Sequence, residues 1–260
     1  MTTTANVPSW AGVIASISLV LIAAAVTWQQ RLGITRELLI ASVRAFVQLL
    51  AVGALLLFVF HLGLLAAFAW LAVMTVIGGV VAGRRARGLP DATRVAGIAI
   101  AVGTASTMGV LLVLQVISLK PEVVIPVGGM VVSTAMTVTA VTLRRTRDAV
   151  SEQRAAVEAR LSLGLTAREA FEPVRRASVR LALTPAIDTT KVVGLISLPG
   201  AMTGLILAGV EPLEAIRYQI VVMYMLLAAA ALASLVSSRM AESALFDEGE
   251  RLRQLVGASG

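Results

Sequence analysis

Two pairs of side chains in this sequence are spaced for chemistry and sit where polar groups are expensive. Asp188 and Lys191 are three residues apart, and Arg44 and Gln48 four apart, so each pair shares a face wherever its segment is helical. Both lie in or beside apolar runs, where a charge costs roughly 2.5–3.5 kcal/mol on insertion scales. Asp188 with Lys191 reads either as a neutralised pair at the cytoplasmic membrane edge or as a gate. An ion-coupled carrier would use the same two residues. Arg44 either snorkels to the headgroups or joins Gln48 as an inward-facing pair for an anion. A third group is a run of hydroxyls, Ser133, Thr134, Thr137, Thr139 and Thr142, with Met130 and Met136 beside it. Such hydroxyls bind helices together, and methionines pack more often than they ligate. Pro199 should break or kink its helix near mid-membrane, and broken helices with freed carbonyls often mark transport paths.

The elements that must position these groups are membrane helices. Of 260 residues, 58% are hydrophobic and 14% charged, and the mean hydropathy is +0.89, beyond what a water-soluble domain hides. A helix needs roughly 20 mostly apolar residues to cross the hydrocarbon. Seven segments qualify as spans: Trp10 to Trp28, Leu38 to Phe60, Leu62 to Ala82, Val95 to Ser118, Val123 to Leu143, Val192 to Ala208 and Tyr218 to Ser238. The expected fold is all-α, a polytopic bundle forming one permease-like domain over 1–260. A basic cytoplasmic insert (144–186) interrupts it and a tail (239–260) follows it. The frames Gly79 to Gly83 and Gly200 to Gly204 favour close helix contact, within the chain or across a dimer.

Arginine placement sets the orientation, because basic residues near span ends stay cytoplasmic. With the N-terminus outside, eighteen of the 22 Lys and Arg fall on the cytoplasmic side, nine of them between Arg144 and Arg180. Lys120 and Arg217 alone fall outside. The net charge of +7 is thus a topology signal, with attraction to anionic lipid as a by-product and no need for nucleic acid. Residues Met1 to Ser9 contain no Lys or Arg, so the first span reads as an uncleaved helix rather than a signal peptide. The expectation is a multi-pass protein of the plasma (inner) membrane with its C-terminus in the cytoplasm.

The insert carries sharp local signals. Val150, Val157 and Leu161 make one apolar stripe on a surface helix, and Gly164 is placed to stop it. Thr166-Ala-Arg-Glu169 is a capping box that starts a second helix, which Pro173 is expected to cut after about two turns. These pieces read either as interfacial helices on the headgroups or as a short transverse helix, Thr166 to Glu172, offered to a cytosolic partner.

Several chemistries are excluded. There is no cysteine, one histidine (His61) in a tight turn, and no cluster fit for a transition metal. The only lysines, Lys120 and Lys191, do not follow glycine, so the phosphate-cradling G-x-x-x-x-G-K-[ST] loop is absent and the chain cannot by itself be a P-loop ATPase. No nucleophile with its base is present, and the expected role is transport rather than catalysis.

Two resemblances extend this reading. Glu158-Ala159-Arg160-Leu161-Ser162-Leu163-Gly164 resembles the glutamate-alanine-alanine loop of ABC transporter permeases, with Arg160 in place of the second Ala and no later I-x-L-P portion. Arg44-Ala-Phe-Val-Gln48-Leu, Val124-Ile-Pro-Val-Gly-Gly-Met130 and the stretch from Asp188-Thr-Thr-Lys191 through Pro199-Gly200-Ala-Met-Thr-Gly204 resemble the Fet-type permease family in order and spacing. Ser133-Thr134 stands where the bacterial branch has Gly-Asn. The resemblance implies the membrane subunit of a bacterial ABC exporter of iron or another metal, with plant aluminium-sensitivity permeases, linked to a nucleotide sugar, as relatives. It implies a homodimer served by two copies of a separate ABC ATPase, which binds the ATP and Mg; this chain itself would carry no cofactor. ATPase coupling then falls to Glu158, Ala159, Gly164, Thr166, Arg168, Glu169 and Phe171. The pathway or gate falls to Arg44, Gln48, Met130, Thr134, Asp188, Lys191 and Pro199. A nucleotide-sugar ABC permease, a secondary transporter and a membrane scaffold that recruits a cytosolic protein are the competing readings.

Overall fold

A computed structural model describes residues 9–253, and among these the chain forms nine helices and no strand. They are α1 (Trp10–Gln29), α2 (Thr35–His61), α3 (Leu64–Arg85), α4 (Ala92–Val113), α5 (Pro121–Glu152), α6 (Arg154–Ser162), α7 (Ala167–Val192), α8 (Gly200–Leu207) and α9 (Pro212–Leu245). Six of them, α1 to α5 and α9, are long and apolar enough to cross a membrane.

The core lies among α3, α4, α5, α7 and α9 and divides into layers along the bundle. At the end bearing Arg84, Arg85 and Arg144, the buried residues are Ala82, Ala92, Leu143, Val150, Phe171, Val174, Ala241 and Leu245, with their neighbours. At the far end Leu71, Leu111, Val124, Val127, Val222 and Met225 form a second cluster. Early residues of α5 and α9 share the far cluster and late residues of both share the basic one, so these two helices run parallel. The chain must therefore travel back along the bundle between Glu152 and Pro212. It does so through α7, which passes from the basic cluster at Val174 to a middle layer where Ala182 packs with Val138 and Ala230. α8 then runs back to back with α9 after a short turn.

Three sequence expectations change here. The segment Val192 to Ala208 is not one span. α7 ends at Val192, Gly194 adopts φ +80°, and Pro199 is the N-cap of an eight-residue α8. Positive φ at Gly194 and a missing amide at Pro199 together prevent a continuous helix. Pro173 does not stop its helix, because α7 continues through both Pro173 and Pro185. Each proline forfeits one backbone bond, and complete burial of Ala170, Phe171 and Val174 offsets the loss at Pro173. The limits of the supposed insert, at Arg144 and Ala186, fall inside α5 and α7, so the basic segment is an outgrowth of core helices. The tail is helical as far as Leu245, and 254–260 lie outside the described residues.

The Gly79 to Gly83 frame is used within the chain. A Cβ on Gly79 would lie 2.7 Å from the Cα of Gly97, and one on Gly83 2.4 Å from the Cα of Thr93. Backbone cannot yield as a side chain can, so Gly79→Ala should destabilise the bundle by about 1–3 kcal/mol, the usual range for overpacking. At Gly97 a Cβ meets nothing within 4 Å, and there alanine should stabilise by up to about 1 kcal/mol through helix propensity. Thermal unfolding of the two variants in detergent would check the opposed signs; equal shifts would contradict the packing.

α1 and α2 stand apart, pairing with each other and touching the bundle only through slight contacts of α2 with α3 and α5. Their sides are almost wholly exposed apolar surface.

Candidate functional site

The sequence-designated residues gather in two places. The first is the corner between α6 and α7 at the basic end. Gly164, at φ +86°, closes α6: its N–H donates to Leu161 O at 2.9 Å and that of Leu165 to Arg160 O at 3.3 Å. This is the paired bonding of a Schellman stop, which a left-handed glycine permits. The capping box is formed as expected. Glu169 N–H donates to Thr166 Oγ1 at 3.3 Å, and Glu169 Oε2 accepts from Thr166 N–H at 3.0 Å and from its hydroxyl at 2.8 Å. Those two bonds favour the charged form and hold the Glu169 carboxyl below its ordinary range. Arg160 ties the two helices by donating to Ala170 O at 3.2 Å.

Outward from this corner point Ala159, Leu163, Gly164, Thr166, Arg168 and Glu169, all exposed. Glu158 is also accessible and pairs with Arg154 at 2.8 Å. Phe171 differs: it is fully buried, with its ring edge-on to Phe246 at 5.8 Å, and so offers a partner nothing to touch. Its role is to seat α7, and its assignment among the coupling contacts is corrected accordingly. The residues behind it were missed in the sequence. A C-terminal hook, 246–253, folds back under the corner, and the signals for it were Asp247 and Gly249 as turn formers between the isolated apolar Phe246 and Leu252.

The second place is the outer face of α7. Asp188 and Lys191 form an ion pair at 3.0 Å, and their side chains are 58% and 68% exposed. Ala182 packs at the level of Val138 and Ala230, which precede Arg144 and Arg239 by six and nine residues. At 1.5 Å per residue Asp188 lies about 9 Å farther along, hence roughly 20 Å from the basic end. The pair is thus well inside the bundle's length rather than at its basic edge. Sequence reasoning started the sixth apolar segment at Val192, whereas α7 already runs along the bundle before that residue. Thr184, Thr189 and Thr190 on this stretch donate to carbonyls one turn back at 2.8 Å.

α5 also carries accessible hydroxyls. Ser133 and Thr137 are exposed and Thr134 is half-buried. Thr142 is buried and shares a 2.8 Å hydrogen bond with Ser234 of α9, the helix-joining role expected of it. Met130 packs into the far cluster and Met136 against the basic one. Pro199 caps α8, whose Gly200 and Gly204 meet nothing within 4 Å, so that frame is open where the one on α3 is filled.

Arg44 and Gln48 stand away from both places. They line a shallow groove of about 560 Å³ on α2 with Leu39, Ile40, Val43 and Val47, and Arg44 forms no ion pair among the described residues. Neither is brought to Asp188 or Lys191 within this chain. No group of three or more His, Cys, Asp or Glu among the described residues is placed to hold a metal ion.

Comparison with known proteins connects this geometry to a family. The model of the family described as "Uncharacterised protein family (UPF0014)" matches residues 10–246. The UPF0014 membrane protein STAR2 of Oryza sativa subsp. japonica is 43% identical over 250 residues, covering 95% of this chain and 87% of that protein. The protein ALUMINUM SENSITIVE 3 of Arabidopsis thaliana is 40% identical, with 94% and 90% covered. The probable iron export permease protein FetB of Escherichia coli (strain K12) is 34% identical over 224 residues, with 85% and 86% covered. No solved structure matches the chain significantly.

Proposed function

The chain belongs to the UPF0014 family of membrane proteins, and from that premise we propose that it is the membrane-spanning permease subunit of an ATP-driven exporter. It works as a homodimer with two copies of a separate ATPase, its N-terminus outside and its C-terminus in the cytoplasm. The cargo is iron or another metal, a reading supported by the FetB relative and its printed name. Seven crossings are made, the sixth in chain order by the second half of α7 together with α8. Parallel α5 and α9 support this count, since the chain between them must return across the bundle.

The observation that carries the proposal is the exposed Asp188–Lys191 pair, set along a bundle whose outside is mostly apolar and whose other exposed polar groups on the spans include Arg44, Gln48, Ser133 and Thr137. Acyl chains cannot solvate such a pair at that depth, and intramembrane charges face a bundle interior or a water-filled cavity. A second copy laid against the α5, α7 and α8 face supplies that enclosure. Ser133, Thr137 and the open Gly200–Gly204 frame border the same face, polar and small enough for a lined passage with close helix contact at its rim. At the basic end, the exposed corner from Glu158 to Glu169 is a compact, rigidly capped projection for a cytosolic ATPase.

Reconstitution tests the whole reading. Vesicles holding this chain and the ATPase that co-purifies with it should move iron only when ATP and Mg are supplied on the side of the corner. Transport by the chain alone, driven by an ion gradient, would replace the proposal with a secondary carrier. Movement of a nucleotide sugar instead of metal would keep the ABC assignment and change the cargo. Binding of a partner without any flux would make the chain a scaffold.

A further inference from the structure

The hook after α9 and a buried ion pair above it grip the corner from behind, at two separate points. Arg175 of α7 faces Glu242 of α9 at 3.2 Å, with side chains 13% and 15% exposed, the most enclosed ion pair among the described residues. Beside it lie the buried apolar residues Ala170, Phe171, Val174, Ala241 and Leu245, and further charges: Glu172, 3.8 Å from Arg175, and Arg168 and Arg239 near Glu242. Desolvating two charges in such surroundings seldom adds stability over an apolar pair of similar volume, whereas a misplaced charge there is costly. The pair therefore serves to fix the register of α7 on α9.

The second grip is the hook itself. Asp247 Oδ1 accepts from the N–H groups of Gly249 and Arg251 at 3.0 and 2.8 Å, Arg253 N–H donates to Leu245 O at 2.8 Å, and Phe246 bridges to Leu252. The segment is thus closed on itself. From it, Glu250 Oε2 accepts the N–H of Ala167, one of the free amides at the start of α7, at 3.0 Å. On the other side Arg154, in the first turn of α6, donates to the carbonyls of Leu252 and Arg253 at 3.1 and 3.2 Å. Both arms of the corner are bonded to one closed loop that continues α9.

We propose that residues 239–253 are a clamp that makes the corner and α9 move as one body, with Arg175, Glu242 and Glu250 as its positioning residues. This rests on the reading of the corner as the ATPase contact and deepens it by naming the receiving helix. α7 packs on α5 and α9 but carries two prolines and breaks after Val192, so alone it is a compliant route for a push on the corner. The clamp adds a second, direct connection to α9, which also packs against α4, α5 and α8.

The test uses the full chain with its ATPase in vesicles, scoring ATPase co-purification and the amount of metal moved per ATP hydrolysed. Replacing Arg175 and Glu242 together by leucine removes both charges of the pair, and Glu172 keeps its 2.6 Å partner Arg176, so the protein should fold and hold the ATPase. Cargo moved per ATP should then fall at least about fivefold, the low end of usual coupling between sites. Glu250→Ala should lower the ratio in the same way, while Glu250→Gln, whose amide oxygen still accepts from Ala167, should keep it. Folded, ATPase-bound variants with the wild-type ratio would overturn the clamp and leave the ATPase reading standing. Failure of the wild-type chain to hold any ATPase would overturn both.

Discussion

Replacing Asp188 and Lys191 together by leucine should leave a folded, ATPase-bound protein that no longer transports. The double change is the informative one. If α7 crosses as proposed, either single change strands a charge inside the membrane, at roughly 2.5–3.5 kcal/mol, and the resulting loss of flux would mix folding with function. Removing both relieves that cost. If the pair faced lipid or only balanced its own charge, the double variant would be at least as stable as the parent and fully active. If the pair lines the passage between two copies, flux falls by at least about tenfold, the equivalent of about 1.4 kcal/mol in a barrier. Unfolding midpoints with flux per ATPase-bound dimer separate the cases, and undiminished flux would remove Asp188 and Lys191 from the pathway. Both side chains are more than half exposed within one chain, so the prediction concerns what covers them and not their burial in the fold.

Gly164→Pro should release the ATPase without unfolding the bundle. Proline requires φ near −65°, whereas this residue sits at +86°, and its N–H, lost in proline, closes α6 by bonding to Leu161. The corner must then rebuild, at a cost greater than the roughly 1 kcal/mol by which proline stabilises a compatible site. The damage is local, because nothing lies within 4 Å of a Cβ at Gly164. Glu158→Lys is the companion that leaves the backbone alone. Its exposed pair with Arg154 is worth at most about 1 kcal/mol to stability, so loss of ATPase binding in this variant reports a lost contact. Co-purification decides: full recovery of the ATPase with both variants would move the docking surface elsewhere.

Gly164 and the Thr166–Glu169 box were legible as letters, because a cap needs only the residues within one turn of it. The apolar helices were equally legible, since hydropathy over about 20 residues is a property of the segment itself. Phe171 was misread as a contact because its burial depends on Phe246, seventy-five residues away. Pro173 was misread as a stop because a proline's local cost was weighed without the burial of Phe171 and Val174 around it.

What the sequence by itself determined is the class, the membrane helices, the basic and non-basic ends and the chemistry of the corner's caps. All of these follow from composition, periodicity and bonds closed within a turn. The tertiary structure alone decided that α7 runs unbroken into the bundle, that Asp188 and Lys191 lie deep along it and exposed, and that the tail returns to clamp the corner. Those outcomes depend on which surfaces meet across a hundred residues of chain, and burial of a side chain is settled by its neighbours in space rather than by its neighbours in sequence.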